Sequence, residues 1–304
     1  MTQRERPPGR RRDTGLLDSS RVPPRLKPAI LRASRAVGRV TSRARMLPAF
    51  LIVGAQRCGT TSMYRTLAQH PGVFKPVRQK GVHYFDTDYQ RGLGWYRAHF
   101  TLEHTARSVQ ARIGVRPLSF ESSPYYMFHP LAAQRIAQDL PQARLLVLLR
   151  DPVERAYSAY EHERARGYET EPFEAALDLE QARLRGEVER MAMDPTYYSY
   201  CHQHNAYVAR GEYIDQLDRL ERVVGRERIH VIDSHDFFER PETVYPAVLE
   251  FLGLPALGEV VFERHNARPR APMAERIRAR LDEHFAPFDE RLHEWLGAAP
   301  SWRR

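Results

Sequence analysis

Nine residues, Gly54 to Ser62, read "GAQRCGTTS" and follow the apolar run "AFLIV". The two glycines have the spacing of a nucleotide-binding loop, G-x-x-x-x-G-K-[ST], with Thr60 where the lysine belongs. A loop of this kind between a strand and a helix presents free backbone N–H groups and the positive end of a helix to an anion. Gly54 and Gly59 let the backbone approach closely. Thr60, Thr61 and Ser62 add hydroxyl donors, and Arg57 supplies a cation from inside the loop. Cys58 reads as a small filler and not as a nucleophile. The stretch Arg57, Cys58, Gly59, Thr60, Thr61, Ser62 is therefore expected to hold a phosphate.

A second anion site is expected in "LLRDPVERAYSAY". Arg150 stands at the end of a predicted strand, and Ser158 can join it if the next helix folds back over that end. Asp151 leaves a rival open, because a nucleoside triphosphatase or kinase holds magnesium through a strand-end aspartate. That rival needs a replacement for the missing lysine. An arginine beside the strand end suits a second phosphate better than a metal. Two anion sites at adjacent strand ends imply a ligand with two phosphate groups spread over a nucleoside.

Together, "FLIVGAQRCGTTS" and "LLVLLRDPVERAYSAY" resemble the sulfotransferases that use 3′-phosphoadenosine 5′-phosphosulfate (PAPS). The likeness is greatest to the glycosaminoglycan 3-O- and N-sulfotransferase branch and its bacterial relatives. The resemblance implies that Arg57, Gly59, Thr60 and Thr61 bind the 5′-phosphosulfate and that Arg150 and Ser158 bind the 3′-phosphate. "KGVHYFD" is similar to the family's K-E-x-H-F-F-D, and "FESSPYYMFHP" to its E-K-[ST]-P-x-Y. "NARPRAPM" resembles its cofactor-closing loop, which places Arg268 over the nucleotide. The match runs over about residues 48–302. It implies sulfuryl transfer to a hydroxyl or amine of a carbohydrate, lipid or small molecule, with adenosine 3′,5′-bisphosphate as product.

Three positions depart from the pattern. The family's catalytic glutamate falls on Gly81, a lysine falls on Ser122, and an arginine falls on Thr61. A missing general base removes a contribution of about 10²–10⁴-fold, so another group must act. His83 is the substitute, since an imidazole titrates near neutral pH; its rival role is to orient the segment with Asp86. Glu121 is the second choice and needs burial to be basic enough. Lys80 is expected to stabilise charge on the leaving phosphate. Lys75 matches no motif. The scheme requires no metal, because the loop and its cations already neutralise the donor. Cys201, His202 and His204 fit no common zinc spacing. Trp95, Tyr96, Tyr125, Tyr126 and Phe128 read either as core or as an acceptor cleft. A non-catalytic nucleotide-binding protein stays open because of Gly81.

The elements that must position these residues are strands separated by helical patterns, which predict an α/β fold with a parallel, helix-covered sheet of the P-loop kind. Strands are expected at Ala49–Val53, Arg116–Ser122, Ala143–Leu149 and Arg226–Ser234. A long charged helix is expected from Phe173 to Met191, and a helix pair broken near Pro287 closes the chain. The 304 residues carry a net charge of +9, yet residues 1–46 hold 13 Lys and Arg against three Asp and Glu. The basicity belongs to a Pro- and Arg-rich tail over 1–46, expected to be mostly disordered, ahead of one domain over 47–304. Ile30, Ala33, Val37 and Val40 share one face there, a thin basis for contact with an anionic surface. Nucleic-acid binding would rest on that tail alone. No apolar run approaches the ~20 residues of a membrane span. Two cysteines make no disulfide framework, which suits the cytoplasm.

Overall fold

The computed structural model describes residues 38–77, 79–263 and 272–304. Five parallel strands form one sheet: β1 (Phe50–Gly54), β2 (Val73–Phe74), β3 (Leu118–Ser122), β4 (Arg144–Leu149) and β5 (Ile229–Asp233), in the order β2-β3-β1-β4-β5. The central strands read as unbroken apolar runs because helices cover both faces of a parallel sheet; all five residues of β1 are buried. Helix α1 (Thr60–Leu67) links β1 to β2, while α2 (Leu93–Arg97) and α3 (Glu103–Ile113) precede β3. Helix α4 (Ala132–Asp139) precedes β4. Five helices separate β4 from β5: α5 (Pro152–Ala165), α6 (Phe173–Leu184), α7 (Glu187–Met193), α8 (Tyr200–His204) and α9 (Tyr213–Val224). The chain ends with α10 (Ser234–Glu239), α11 (Pro241–Leu252) and α12 (Glu275–Leu296).

The strand order reverses beside β1, whose neighbours are β3 and β4. In open parallel sheets ligands bind outside the carboxyl ends of the strands at such a switch point. The glycine loop leaves β1 there, and Arg150 and Asp151 leave β4 there. Pro152 takes the first helical position of α5, where its missing N–H is harmless. Asp151 caps the helix, accepting from the Val153 N–H at 2.9 Å and the Glu154 N–H at 3.4 Å.

Two expected helices differ from what the structure contains. The long helix over 173–191 is two, because Gly186 adopts φ 74° between α6 and α7. Conversely α12 runs unbroken through Pro287. Its buried face (Ile277, Leu281, Phe285, Leu292) recurs at helical spacing on both sides of the proline. That continuous packing outweighs the roughly 3 kcal/mol an interior proline removes. Residues 38–46, placed with the tail by composition, include a bridge from Arg45 to Leu102 and a buried Met46. The expected tail before residue 38, with Ile30, Ala33 and Val37, lies outside the described residues. Among the described residues, no helix is long and apolar enough to cross a membrane.

Candidate active site

Gly59 turns the chain into α1 with φ 81°, a left-handed conformation that favours glycine, and a Cβ there would lie 3.0 Å from the Phe238 ring. Lys80 reaches the first turn of α1 from the segment between β2 and α2. Its ammonium donates to Thr60 Oγ1 at 3.2 Å and Thr61 Oγ1 at 3.0 Å. A cation thus stands at the helix start that lacks its own lysine. Withdrawal from water, reinforced by Arg65 and opposed by Glu121, brings Lys80 down to about 7.

Arg57, at φ 72°, donates from Nε to Ser158 Oγ at 3.1 Å. The two expected anion sites therefore adjoin through Ser158. Arg150 does not pair with Ser158: its Nη2 donates to Glu154 at 3.3 Å, and Arg278 of α12 donates to the other oxygen of the same carboxylate. Asp151 is engaged as the α5 cap described above, which leaves it poorly placed as the metal-binding aspartate of a triphosphatase. Cys58 is fully buried beside Tyr213, Sγ to Oη 3.6 Å, and burial pushes its thiol up. It is a neutral filler under the loop. Tyr213 also donates to the Arg150 carbonyl at 2.8 Å, joining the ends of β1 and β4. Arg268 lies outside the described residues.

His83 lies in the left-handed region at φ 58°, a rare conformation for a residue with a side chain. Its Nδ1 pairs with Asp86 Oδ2 at 2.8 Å. Burial works against the Asp86 carboxylate, but the His83 imidazole, His129 and the Thr87 N–H together hold it below its ordinary value. An ionised carboxylate on Nδ1 fixes a proton there and leaves Nε2 as the acceptor. Gly81 lies against this ring. A Cβ on residue 81 would stand 3.3 Å from His83 Nε2, 2.9 Å from Ser123 Oγ and 2.6 Å from the Ser122 carbonyl oxygen.

Glu121 is fully buried and accepts four hydrogen bonds, from the Val82 N–H (2.9 Å), Ser123 Oγ (2.7 Å), Tyr126 Oη (2.6 Å) and Tyr96 Oη (3.2 Å). Burial pushes its carboxyl up. With its lone pairs engaged, it organises the segment that carries His83. Tyr96 and Tyr126 are consequently core; Trp95 packs against that core, and Phe128 stacks on His202 at 4.2 Å. His202 bonds Tyr125 and His204 bonds Glu163, so both imidazoles serve packing. Among the described residues no three metal-ligating side chains converge.

A further set about the loop carried no sequence signal. Gln56 accepts from Arg210 and approaches Glu163 at 3.5 Å, and Arg210 also donates to the carbonyls of His202 and Gln203 at 2.8 and 2.7 Å. These partners are 107 to 154 residues from Gln56 in sequence. Only the fold brings them together.

Comparison with known proteins agrees with this geometry. The sulfotransferase domain model matches residues 47–268. The crystal structure of a sulfotransferase from Alicyclobacillus acidocaldarius is 31% identical, covering 85% of this chain and 100% of that one with a TM-score of 0.62. The membrane-associated sulfotransferase kil1 of Dictyostelium discoideum is 27% identical over 84% of this chain and 67% of its own length. Human heparan sulfate glucosamine 3-O-sulfotransferase 5 is 26% identical over 89% of this chain and 78% of its own. The bifunctional heparan sulfate N-deacetylase/N-sulfotransferase of Drosophila melanogaster is matched over 20% of its length, so the chain spans about a fifth of that protein. With the family model covering most of the chain and the site built on the matched segments, this protein belongs to the sulfotransferase domain family.

Proposed function

We propose that the chain moves the sulfuryl group of PAPS to a hydroxyl or amine of a carbohydrate, lipid or small-molecule acceptor. The observation that carries this reading is the meeting of Lys80 with Thr60 and Thr61 beside the Arg57–Ser158 contact, at the switch point of the sheet. The loop amides, Lys80 and Arg57 bind the 5′-phosphosulfate; Arg150 and Ser158 bind the 3′-phosphate, with Arg150 exchanging Glu154 for it. Arg268 covers the nucleotide in the same scheme. His83 Nε2 takes the acceptor's proton as the acceptor oxygen or nitrogen bonds to sulfur in line. The bond from sulfur to the 5′-phosphate oxygen breaks, and its electron pair stays on the leaving phosphate. Lys80 and the loop N–H groups stabilise that charge. Asp86 holds the imidazole in the required tautomer. Cys58 and Cys201, which are not joined in a disulfide, fit a reducing, cytoplasmic setting.

Calorimetry tests the donor. Adenosine 3′,5′-bisphosphate is expected to bind without magnesium, and a preference for Mg-ATP refutes the reading. His83→Ala is expected to lower kcat by about 10²–10⁴-fold while the bisphosphate Kd stays unchanged. Transfer surviving within a few-fold removes His83 from the role of base.

A further inference from the structure

Arg210 belongs to no motif, yet it meets the glycine loop directly. It is 4% exposed, and its Nη1 donates to Gln56 Oε1, beside Arg57. Its Nη2 donates to the carbonyls of His202 and Gln203 at 2.8 and 2.7 Å. Its guanidinium stands 4.9 Å from the centre of the Tyr125 ring and 5.0 Å from that of Phe128. We infer that Arg210 is a positioning residue for the donor: through Gln56 it holds the glycine loop at a set distance from the segment that carries Lys80, so that loop and lysine meet one 5′-phosphate. The inference rests on the sulfuryl-transfer reading above and adds a residue that acts through the loop.

The mount of Arg210 is firm. It sits in the single helical turn Ala209–Gly211. Ahead of it, the buried Glu180 carboxylate accepts the N–H groups of Tyr207, Val208 and Ala209 at 2.8, 2.8 and 2.9 Å. Behind it, the buried Gln216 amide of α9 donates to the Arg210 and Glu212 carbonyls, each at 3.1 Å. Tyr125 and Phe128 lie in the turn after β3. That turn also supplies Ser123 Oγ and Tyr126 Oη, which accept the His83 and Tyr84 N–H groups and so place the segment behind Lys80. Its Met127 N–H donates to the Val53 carbonyl at 2.9 Å. The end of β1 and its loop are therefore tied to this turn twice, at Val53 through backbone and at Gln56 through Arg210.

Packing alone does not account for an arginine here. Its Nε is buried without a hydrogen-bond partner, and an incompletely paired buried cation opposes folding. The geometry uses the shape of the group. A planar guanidinium can donate to an amide and to two neighbouring carbonyls at once while lying against two rings; an ammonium on a flexible stem cannot. The Gln56 amide has one orientation that suits both neighbours, with Oε1 toward Arg210 and Nε2 toward Glu163 Oε1 at 3.5 Å. Glu163 is itself paired with His204 at 2.9 Å. Two groups of opposite charge thus fix the loop at residue 56.

The test is a double-mutant cycle read by calorimetry with adenosine 3′,5′-bisphosphate, which needs no acceptor. Gln56→Leu is expected to weaken the bisphosphate Kd about five- to tenfold, the worth of one hydrogen bond, with Tm within about 3 °C of the parent. Arg210→Met should weaken it at least as much, and the double variant should match Arg210→Met within twofold, since both changes break one contact. Arg210→Lys, which keeps the charge and loses the fork, should bind as poorly as Arg210→Met. Should Arg210→Met fail to fold, Gln56→Leu decides alone. A Kd within twofold of the parent in Gln56→Leu overturns the inference, and a lower Tm with that unchanged Kd assigns the contact to packing only. Losses that multiply in the double variant, or parental binding in Arg210→Lys, overturn it as well. A parent protein that does not bind the bisphosphate refutes the sulfuryl-transfer reading instead.

Discussion

Adding one methyl group at position 81 tests why this chain lacks the family's glutamate there. In Gly81→Ala the new carbon would stand 2.6 Å from the Ser122 carbonyl oxygen, closer than real Cβ contacts come. Ser122 closes β3 and pairs in register with Ile52 of β1, so its carbonyl is fixed by the sheet. Ser123 Oγ, 2.9 Å away, is held by Glu121 and by the His83 N–H. The segment around residue 81 must therefore move, and it is tied by the Ser122 N–H to the Lys80 carbonyl at 3.0 Å. Overpacking of this kind costs about 1–3 kcal/mol, and a lost hydrogen bond about 1 kcal/mol more. A destabilisation of about 2–4 kcal/mol follows, read as a Tm lower by about 5–10 °C in a domain of this size.

Lys80 and His83 flank residue 81, so the displacement reaches both. A shift of about 1 Å at reacting groups lowers kcat about 10²-fold. Gly81→Glu, which restores the family's carboxylate, carries the same clash and should behave no better. Differential scanning calorimetry and sulfuryl-transfer kinetics on the two variants give the answer. If Gly81→Glu melts within 1 °C of the parent and turns over faster, the space argument is wrong and His83 is not standing in for the missing base.

Lys80, at about 7, is partly neutral in the free protein near neutral pH. An anionic donor favours its charged form, so bisphosphate binding at pH 8 should take up a proton, seen as a dependence of binding heat on buffer ionisation and absent in Lys80→Met. The stability sign follows from the same lowering. Between pH 7 and the ordinary value of 10.5 the unfolded chain holds more protons at this residue. Lys80 therefore opposes folding fully below about pH 7, and its penalty fades as pH rises toward 10.5; Lys80→Met should melt higher than the parent at pH 7, and a lower Tm refutes the assignment. Asp86→Asn should cut kcat about 10²-fold and leave the bisphosphate Kd within twofold, because the carboxylate acts through the imidazole. Ser158→Ala should weaken bisphosphate binding about five- to tenfold, through its hydroxyl contact and the loss of its hold on Arg57.

Much of the sheet was legible because buried parallel strands are apolar runs, and β1, β3, β4 and β5 lie within a few residues of expectation. The two-residue β2 carries too short a pattern to be seen. The break at Gly186 and the continuity at Pro287 were decided by conformation and packing that local propensity does not record. Arg150 and Ser158 were legible as neighbours of the strand ends, but not that Ser158 meets Arg57 while Arg150 meets Glu154. An arginine's partner is set by which helix lies across it. Gln56 and Arg210 were invisible for the same reason: polar side chains in ordinary sequence surroundings become significant only when the fold ties them to the loop.

The cation and the proposed base are parts of one rigid strip. The Lys80 carbonyl accepts the Ser122 N–H, while the Val82, His83 and Tyr84 N–H groups donate to Glu121, Ser123 Oγ and Tyr126 Oη. Ser123 and Tyr126 in turn donate to Glu121, so one buried carboxylate sets the path of residues 82–84. Lys80 and His83 are therefore fixed to the end of β3 in the same way that the glycine loop is fixed to the end of β1, and the two strands are paired. Catalytic groups held this way need no reorganisation when charge moves. Glu121→Gln puts an amide N–H₂ where two of four donors point and should loosen the whole strip at once. Lys80 and His83 functions should then fall together: weaker bisphosphate binding and lower kcat in one variant, where Asp86→Asn loses only kcat. If Glu121→Gln keeps the bisphosphate Kd while kcat alone collapses, Glu121 acts on the reacting proton directly and the strip is not the unit argued here.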